Sequence, residues 1–417
     1  MSSESGRILR SRAVVPVVEP PIDDGAVFFS EGIIRQVGRF RDLKDLSSDV
    51  EDLGEGVLCP GLVNAHCHLD FTELGGKIPP PDSFASWVRS ILMRSSEWTP
   101  HEWISSWNKG LDQLVRNGVT TVLNIETSLN YLSLLRQELP IRVHSFLEMT
   151  GLIAGAQAVE LVDAALRLRA ELGGEIGLAP HSVYAAAQGL MRTVAHAMEE
   201  HDVRSTIHLA ESLDEHLMFT ESRGALYETL YGFGRGMSDC GKGSPVALAA
   251  RSGMLRRETV VAHANYLSEA DVELLAESGA SVVHCPSCHA YFGHVPFPFE
   301  ELRAAGVNLC LGTDSLASVL PDEDGCFELN LFTEMRRFSN REQGVDPSEV
   351  LKMATLHGAR ALGVGEKAGG LGEGFLADAV WMAGKPRLRD VESWLVNEVK
   401  RPDEVMVDGE WIEEAIE

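Results

Sequence analysis

The sequence lacks the features that would place the protein in a membrane or outside the cell. No stretch approaches 18 uninterrupted apolar residues, so no transmembrane helix is expected. The first ten residues, MSSESGRILR, contain no apolar signal-peptide core, so we expect a cytoplasmic protein. The 7 cysteines are an odd number and are scattered along the chain, which fits reduced thiols better than a disulfide framework.

Positive charge is also scarce. The 36 lysine and arginine residues are outnumbered by 62 acidic residues, which gives a formal net charge of −26, and they form no basic stripe. Nucleic acid and anionic membrane surfaces are therefore not expected as partners. This leaves a small molecule as the expected ligand.

Short apolar runs alternate with amphipathic, helix-like stretches through most of the chain. Eight such runs occur, at 57–68, 119–125, 141–149, 175–182, 204–211, 259–264, 280–286 and 307–314. Eight strand–helix units predict an α/β fold in which residues 58–365 form a closed (β/α)8 barrel of the TIM type. The alternative is an open doubly wound sheet, but the glycine-rich turn usual after its first strand is missing from NAHCHLDF (64–71).

The two chain ends differ from the middle. Residues 1–57 and 366–417 contain short β-rich pieces, with hairpin-like turns in the first segment. We predict that they meet in a small β-sandwich domain beside the barrel. Two long loops, at 70–84 and 231–245, follow the first and fifth runs and should lie over the carboxyl ends of the strands, where such loops form a pocket.

Metal-capable side chains recur where the predicted strands end, which is where barrels of this type carry their active sites. His66 and His68 would share one face of a strand, as a ligand pair or as an ordinary hydrogen-bonded pair. The other strand ends supply Glu148, His181, His208, Glu211, His263, His284 and Asp314. A buried structural histidine explains any one of these residues, but it explains the whole set poorly.

Four of these side chains form a suitable set of zinc ligands, namely His66, His68, His208 and Asp314. A zinc ion lowers the pKa of water toward neutrality, and a nearby carboxylate must then carry protons. Glu211 follows His208 by three residues and is placed for that role. His263 is placed to hydrogen-bond an oxygen or a leaving group as charge develops.

Four motifs in order along the chain resemble the amidohydrolase superfamily: PGLVNAHCH (60–68), HLAES (208–212), VVAHA (260–264) and LGTDS (311–315). The helix ATLHGARALG (354–363) and the tail GEGFLADAVW (372–381) extend the resemblance over nearly the whole chain. Within the superfamily, the sequence is most similar to the single-zinc deaminases of adenosine-like thioethers and guanine, a branch that also holds triazine hydrolases.

This resemblance implies one Zn²⁺ per chain, with Fe²⁺ as the alternative, bound by the four ligands named above. It also implies that Glu211 shuttles protons, that His263 orients water or substrate, that Asp314 belongs to the catalytic group, and that His181 in APHSVY (179–184) contacts the substrate. We further expect a homodimer.

One absence bears on the number of metal ions. Two-metal members of the superfamily commonly use a carboxylated lysine at the end of strand four. No lysine occurs between Lys109 and Lys242, so that bridge cannot form. Glu148 is the remaining candidate for a bridge, and we interpret it instead as a supporting carboxylate.

Two features depart from the pattern of the deaminase branch. The seventh run, HCPSCHAYFGH (284–294), has Cys288 and His289 where a serine and an asparagine usually stand, which predicts that both contact a substrate unlike the familiar purines. A counterpart of the ribose-binding glutamate is also missing after the first run. Trp87 and Arg89 are present there instead, and we predict that Trp87 contacts the substrate.

Together these features predict a zinc-dependent hydrolytic deaminase that releases ammonia from an amino-substituted heteroaromatic ring, such as a purine or a nucleoside-like compound. The same chemistry with another leaving group would give a hydrolytic dechlorinase or a cyclic amidase. Two other classes stay open. CPSC (285–288) could form a redox dithiol or a structural zinc site. A non-catalytic metal-binding barrel is the other, although it would not need Glu211 or His263.

Overall fold

The computed structural model describes residues 6–136, 139–151, 156–173 and 175–412. Within these ranges the chain forms two separate eight-stranded sheets, one of which is a parallel barrel covered by helices. Residues 1–5 and 413–417 of the predicted small domain lie outside the described ranges. In the described part, no helix has the length and apolar character needed to span a lipid bilayer.

The strands divide into three groups along the chain. The first group is β1 (Arg7–Val14), β2 (Ile22–Ser30), β3 (Ile33–Arg39), β4 (Asp49–Asp52) and β5 (Gly56–Pro60). The barrel strands are β6 (Leu62–Cys67), β7 (Val119–Glu126), β8 (Arg142–Met149), β9 (Ile176–Pro180), β10 (Ser205–Leu209), β11 (Thr259–His263), β12 (Ser281–His284) and β13 (Leu309–Leu311). The last group is β14 (Ala379–Ala383), β15 (Glu404–Val407) and β16 (Glu410–Trp411).

The helices mostly cover the outside of the barrel. They are α1 (Phe40–Leu43), α2 (Phe84–Ser95), α3 (Pro100–Arg116), α4 (Leu132–Leu135), α5 (Ala156–Leu172), α6 (Gln188–His201), α7 (Leu213–Glu221), α8 (Ala225–Gly232), α9 (Pro245–Arg251), α10 (Glu269–Ser278), α11 (Pro286–Phe292), α12 (Phe299–Ala304), α13 (Leu331–Arg341), α14 (Pro347–Met353), α15 (Leu356–Ala361) and α16 (Val391–Asn397). Helix α10 begins at a capping box between Ser268 and Asp271, and Gly279 caps its end.

The last barrel strand returns to the first. A parallel bridge pairs Cys67 with Asp314, and the Asp314 amide donates a hydrogen bond to the His66 carbonyl at 3.1 Å. Gly312 permits this close approach, because a Cβ there would lie 2.8 Å from the His66 carbonyl oxygen. The predicted barrel is therefore confirmed, and the open doubly wound alternative is wrong.

The barrel is filled by apolar side chains from several strands, including Val63, Leu123, Phe146, Val260 and Val283. A larger apolar layer packs between the strands and the surrounding helices. Strands β7, β9, β10 and β11 are buried along their whole length, as expected for parallel strands covered on both faces. This core holds the strand ends that carry the candidate site.

Both chain ends contribute to one small sheet, as predicted. Its strand order is β16-β15-β14-β5-β1-β2-β3, with β4 paired to β1. The contact between the two ends is the antiparallel pair of β14 and β5. The apolar run at 57–68 thus supplies two strands, since β5 belongs to this sheet and β6 to the barrel, and the chain passes between them at Gly61.

Segments after the barrel strands are fastened over the carboxyl ends of the barrel. The Tyr291 hydroxyl on α11 donates to the Pro79 carbonyl at 2.9 Å, which secures the loop after β6. The Trp87 indole on α2 donates to the Ala317 carbonyl at 3.1 Å. Both contacts join the segment after the first strand to segments after later strands, and they build the wall of a cavity.

Candidate active site

Three histidine rings meet at the carboxyl ends of the barrel strands. His66 and His68 come from the end of β6, and His208 comes from β10. One ring nitrogen of each lies within 4.8 Å of the others. Cys67, between the first two, is fully buried in the layer that packs between barrel and helices, so the two histidines share a side as the spacing predicts.

Asp314 completes the group. Its Oδ1 lies 3.5 Å from Nε2 of His66 and 3.7 Å from Nε2 of His68, while the Nε2 atoms of His68 and His208 are 3.1 Å apart. Ligand atoms about 2.0–2.1 Å from a tetrahedral ion would be about 3.3 Å apart. These three separations lie close to that value, as expected for donors that face one shared cation.

Unpaired nitrogens support the same interpretation. Both ring nitrogens of His66 and Nδ1 of His68 are buried and have no hydrogen-bond partner among the described residues. Buried polar atoms without a partner are costly, and each needs an explanation. A bound metal ion supplies one, because it takes up the lone pair of a neutral imidazole. The residues that are present thus fit a metal ion.

The ligand atoms are held in place by further contacts. Nδ1 of His208 donates to the His181 carbonyl at 2.9 Å, which leaves the Nε2 lone pair directed toward the cluster. The Ser318 hydroxyl donates to Oδ2 of Asp314 at 3.2 Å. These contacts fix the tautomer of His208 and the orientation of Asp314.

Burial keeps the nitrogens in the form that binds metal. It lowers the pKa of His68 to about 3, with His66 adding to the shift. It also holds the pKa of His208 well below its ordinary value, with His181 contributing. Burial opposes ionisation of Asp314, yet the contact from His66 and the nearby His263 hold the pKa of this carboxyl well below its usual range. Neutral imidazoles beside an ionised carboxylate are suited to a divalent cation.

Glu211 and His263 lie beside this cluster. Oε1 of Glu211 is 3.7 Å from Nε2 of His263, and both side chains are buried. Burial, together with Asp314 and Glu215, raises the pKa of Glu211 well above its usual value. The Glu211 amide donates to the Glu215 carboxylate at 2.7 Å, and Asn265 donates to the Glu211 carbonyl at 2.9 Å. A buried carboxyl with a raised pKa, whose backbone amide and carbonyl are both hydrogen-bonded, is suited to proton transfer.

Backbone strain is concentrated at the same strand ends. Ala210, His263, Ala264 and Asp314 have φ values of 51°, 75°, 51° and 54°, which residues other than glycine rarely adopt. Such conformations persist only where the surrounding structure imposes them. They lie at or just after the ends of β10, β11 and β13, at His263 and Asp314 themselves and directly before Glu211.

A cavity of about 320 Å³ opens onto these side chains. Its inner end includes His68, His208, Glu211, His263 and Asp314. His181 and Trp87, both predicted substrate contacts, also line it, as do Arg89 and Glu148. The Nε2 of His181 is 3.8 Å from Oε1 of Glu148, so this carboxylate stands beside a histidine and outside the metal cluster.

The outer walls are mainly apolar and come from segments that sequence reasoning did not single out by residue. They include Phe71, Val88, Ile91, Leu92, Tyr184, Leu226, Leu230 and Phe233. Most lie on α2 and α8 or in the adjacent loops. Only the adjoining loops at 70–84 and 231–245 were predicted to lie over the strand ends, because an ordinary apolar helix carries no sign of which side chains face a ligand.

The seventh-strand residues take two different positions. Cys288 lies with one ligand atom within 4.8 Å of Glu211 and His263. His289 is buried with its ring near His284 and His294, and it is not among the residues that line the cavity. His284 stacks on Phe297 at a ring separation of 4.0 Å and lies outside the metal cluster. Substrate contact by Cys288 and His289 stays a prediction.

The thiols of CPSC do not have the character of a redox pair. Cys285 and Cys288 are both buried and free. Burial, with Asp314 adding to it, raises the pKa of both thiols well above the ordinary value. Reactive dithiols need a lowered pKa on an accessible cysteine. The structure therefore disfavours the redox alternative.

The fold and the site together define a (β/α)8-barrel hydrolase with a histidine-rich centre at the carboxyl ends of its strands. The chain belongs to the amidohydrolase family, whose profile matches residues 57–412.

Several curated relatives cover most of the chain. This chain is 28% identical over 426 residues to a protein of Desulforudis audaxviator named 5-methylthioadenosine/S-adenosylhomocysteine deaminase. The alignment covers 96% of this chain and 92% of the relative. A protein of the same name from Pyrococcus furiosus is 26% identical over 361 residues, covering 84% and 80% of the two chains.

Solved structures share the fold. Helicobacter pylori aminofutalosine deaminase, in complex with methylthio-coformycin, has a TM-score of 0.86 at 20% identity, covering 97% of this chain and all of the other. A zinc-bound adenosine deaminase from Xanthomonas campestris has a TM-score of 0.82 at 24% identity, with coverages of 98% and 92%. A zinc complex of atrazine chlorohydrolase from Arthrobacter aurescens has a TM-score of 0.80 at 22% identity, with coverages of 97% and 94%.

Proposed function

We propose that this protein is a metal-dependent hydrolytic deaminase that releases ammonia from an amino-substituted ring of a nucleoside-like compound. The observation that carries the proposal is the position of Glu211 and His263 beside the His66, His68, His208 and Asp314 cluster, at the inner end of a cavity. A barrel that only stores metal would not need a buried carboxyl and an imidazole at that point. The names of the relatives agree with this reaction.

The metal assignment is one Zn²⁺ per chain, with Fe²⁺ as the alternative. His66, His68, His208 and Asp314 would hold it, which the spacing of their donor atoms supports. When bound, the ion would act as a Lewis acid and lower the pKa of water toward neutrality. We assign Glu148 no direct contact with the ion, because it stands beside His181.

Glu211 carries the protons of the proposed reaction. Its carboxylate accepts a proton as water adds to the amino-bearing ring carbon, and the carboxyl then donates a proton to the departing amine, so that ammonia leaves. His263 lies beside it and hydrogen-bonds the oxygen that is added to the ring. Burial of both side chains excludes bulk water from this transfer.

Substrate binding is assigned to the cavity. His181 is placed to hydrogen-bond the ring, and Trp87, held by its bond to Ala317, forms part of the wall. The apolar outer wall, which includes Leu226 and Phe233, suits a substrate with an apolar substituent. Cys288 and His289 are kept as predicted contributors to ring selection.

We propose a cytoplasmic homodimer in which residues 58–365 form the catalytic domain. Residues 1–57 and 366–417 would form the smaller domain. The pairing of β5 with β14 supports a small domain built from both chain ends, and because β5 extends to Pro60 it moves the first boundary to Gly61.

An ammonia-release screen tests the function. The compounds are adenosine thioethers, adenosine, guanine, aminopyrimidines and aminotriazines. A chlorotriazine and a cyclic amide are included to test whether chloride or an amide nitrogen is the leaving group instead. We expect ammonia from at least one aminopurine or adenosine thioether, and release about 10²–10⁴-fold slower from the Glu211→Gln variant. Release of chloride alone would show a hydrolytic dechlorinase instead of a deaminase. Opening of the cyclic amide alone would show a cyclic amidase. Turnover of no compound by metal-loaded protein would favour the non-catalytic barrel.

A further inference from the structure

The thiol of Cys288 faces two groups that already have a place in the proposed reaction. Its sulfur, a carboxylate oxygen of Glu211 and a ring nitrogen of His263 all lie within 4.8 Å of one another. All three side chains are buried, with 1%, 3% and 2% exposure. Sulfur, carboxylate oxygen and imidazole nitrogen in one buried group are the donor types found around zinc.

The position of Cys288 is fixed by the start of α11. Pro286 occupies the first turn of this helix, where its restricted φ is suitable. The amide of the next residue, Ser287, donates to Oε2 of Glu334 on α13 at 2.8 Å, and its hydroxyl contacts the same carboxylate. Ser287 is thereby held against α13, and the next residue, Cys288, lies beside Glu211 and His263.

A second observation points to a ligand at this position. Nε2 of His263 is buried and has no hydrogen-bond partner among the described residues. Its nearest charged neighbour is Oε1 of Glu211, at 3.7 Å, which is beyond hydrogen-bond distance. An unpartnered nitrogen next to a carboxyl and a thiol leaves a place for a cation that accepts electron pairs from all three.

We propose a second metal site, formed by Glu211, His263 and Cys288, that takes a soft divalent cation such as Zn²⁺ or Cd²⁺. The thiolate selects soft cations and disfavours Mg²⁺. With the thiol and the carboxyl ionised, the three groups carry two negative charges, which one divalent ion balances as the protons pass to solvent. The site shares no residue with the cluster of His66, His68, His208 and Asp314, although His263 also lies within reach of His66 and Asp314.

Occupation of this site inhibits turnover. An ion on Glu211 and His263 occupies the carboxylate and imidazole lone pairs, so Glu211 can no longer accept a proton from water, while the first ion stays in place. This consequence rests on the proposed function, whereas binding of the ion does not. Binding and inhibition therefore require separate measurements.

Cd²⁺ is the probe, because a cadmium–thiolate bond gives a charge-transfer absorption in the ultraviolet that oxygen and nitrogen ligands do not. The metal-loaded enzyme is first changed at Cys326, the exposed cysteine of the described chain, by Cys326→Ser, so that surface thiol binding is removed. Cys288→Ser and Cys288→Ala are the test variants. Cys285→Ser is the matched control, since Cys285 is buried in the same segment but belongs to none of the three-residue ligand groups.

We expect the Cys326→Ser enzyme to bind one additional Cd²⁺ per chain, to show the absorption, and to retain its first metal by elemental analysis. Cys285→Ser should behave in the same way. Cys288→Ser and Cys288→Ala should lose the absorption and bind the additional Cd²⁺ at least tenfold more weakly. The same absorption and affinity in the Cys288 variants would overturn the site. Exchange of Cd²⁺ for the first metal, with no gain in total metal, would also overturn it.

Inhibition is measured with the substrate found by the ammonia screen. Cd²⁺ should lower the rate of the Cys326→Ser enzyme at the concentrations that fill the second site. At least tenfold higher concentrations should be needed in the Cys288 variants, each compared with its own rate without added Cd²⁺. Full activity of an enzyme that holds both ions would overturn the inhibitory role. If no substrate is found, the proposed function fails, while the absorption measurement still decides the metal site.

Discussion

His208 shows how one hydrogen bond prepares a side chain for metal binding. Its Nδ1 donates to the carbonyl of His181, which accepts only, so the proton must lie on Nδ1 and the lone pair on Nε2. The same contact joins the end of β10 to the segment after β9. The side chains of one site are thus oriented by backbone groups of neighbouring strands.

Replacing Glu211 by glutamine tests its role in proton transfer. Glu211→Gln removes the ionisable group but keeps the shape of the side chain, so the metal cluster should retain its ion. Turnover should fall by about 10²–10⁴-fold, the range for loss of a general acid–base group. Metal content by elemental analysis and kcat for ammonia release measure the two effects.

The matched control for Glu211→Gln is Glu273→Gln on α10, where the side chain is exposed and remote from the cavity. The control should keep both metal and rate. A near-normal rate in Glu211→Gln would remove this residue from proton transfer, and loss of metal would show that it acts on the ligands instead.

The buried carboxyl of Glu334 joins helices α11 and α13. Glu334 accepts hydrogen bonds from the amide and the hydroxyl of Ser287. Burial raises its pKa from 4.5 to about 7. The folded protein therefore holds a proton here at pH values where the unfolded chain has released it.

The carboxyl of Glu334 makes the free energy of unfolding depend on pH. Because the folded pKa is the higher one, the contribution of Glu334 to the free energy of unfolding is present in full below about pH 4.5. It is lost as the pH rises through about 7, by about 3 kcal/mol in total. Glu334→Gln cannot titrate and can still accept from the Ser287 amide. The drop in urea midpoint between pH 5 and pH 8 should therefore be smaller in this variant than in the parent protein.

Glu328→Gln, at an exposed position shortly before α13, is the control for Glu334→Gln and should keep the parent pH dependence. An equal drop in midpoint for Glu334→Gln and the parent protein would show that the carboxyl does not titrate over this range. Urea unfolding at the two pH values is sufficient for the comparison.

The strands were predictable because buried parallel strands read as continuous apolar runs between helices. The exact division of such a run was not. Residues 57–68 are apolar almost throughout, but Gly61 separates a strand of the small sheet from a strand of the barrel. An apolar run indicates that a segment is buried, but it does not show which sheet each part of the segment joins. The contact of Ser287 with Glu334 spans 47 residues and has no local signal at all.

The strand-end residues were predictable for a similar reason, since barrel topology brings the carboxyl ends of all strands together. His66, His208 and Asp314 need only that topology to meet. Side-chain direction needs more, because a short helix such as α11 can turn Cys288 inward and leave His289 against His284. Spacing in the sequence could not distinguish these two neighbours.

At the scale of the whole molecule, a buried ion pair joins the barrel to the small sheet. Arg142 on β8 contacts both oxygens of Asp378, at 2.6 and 2.9 Å, just before β14. Its guanidinium also contacts Asp408, at 2.5 Å, between β15 and β16. The side chain of Asp378 is 4% exposed, so its charge depends on this partner.

Arg142→Ala should therefore destabilise the fold, because it leaves a buried carboxyl without its cation. Breaking a buried pair costs about 3–5 kcal/mol, and since the Arg142 side chain is 26% exposed we expect about 2 kcal/mol. Arg389→Ala, which removes an exposed arginine paired with Asp390, should cost less than about 0.5 kcal/mol. Urea midpoints of the two variants make the comparison, and equal midpoints would mean that the pair does not hold the two sheets together.

The dependence of ammonia release on bound metal is the most direct test of the proposed chemistry. Metal is removed stepwise with a chelator, and metal content and rate are measured on the same samples, with His66→Ala and Asp314→Ala as metal-site variants. We predict about one ion per chain at full activity, a rate that falls in proportion to the metal removed, and loss of both in the two variants. Ammonia release by metal-free protein, or full metal content in both variants, would contradict the assignment of His66, His68, His208 and Asp314 as a catalytic metal centre.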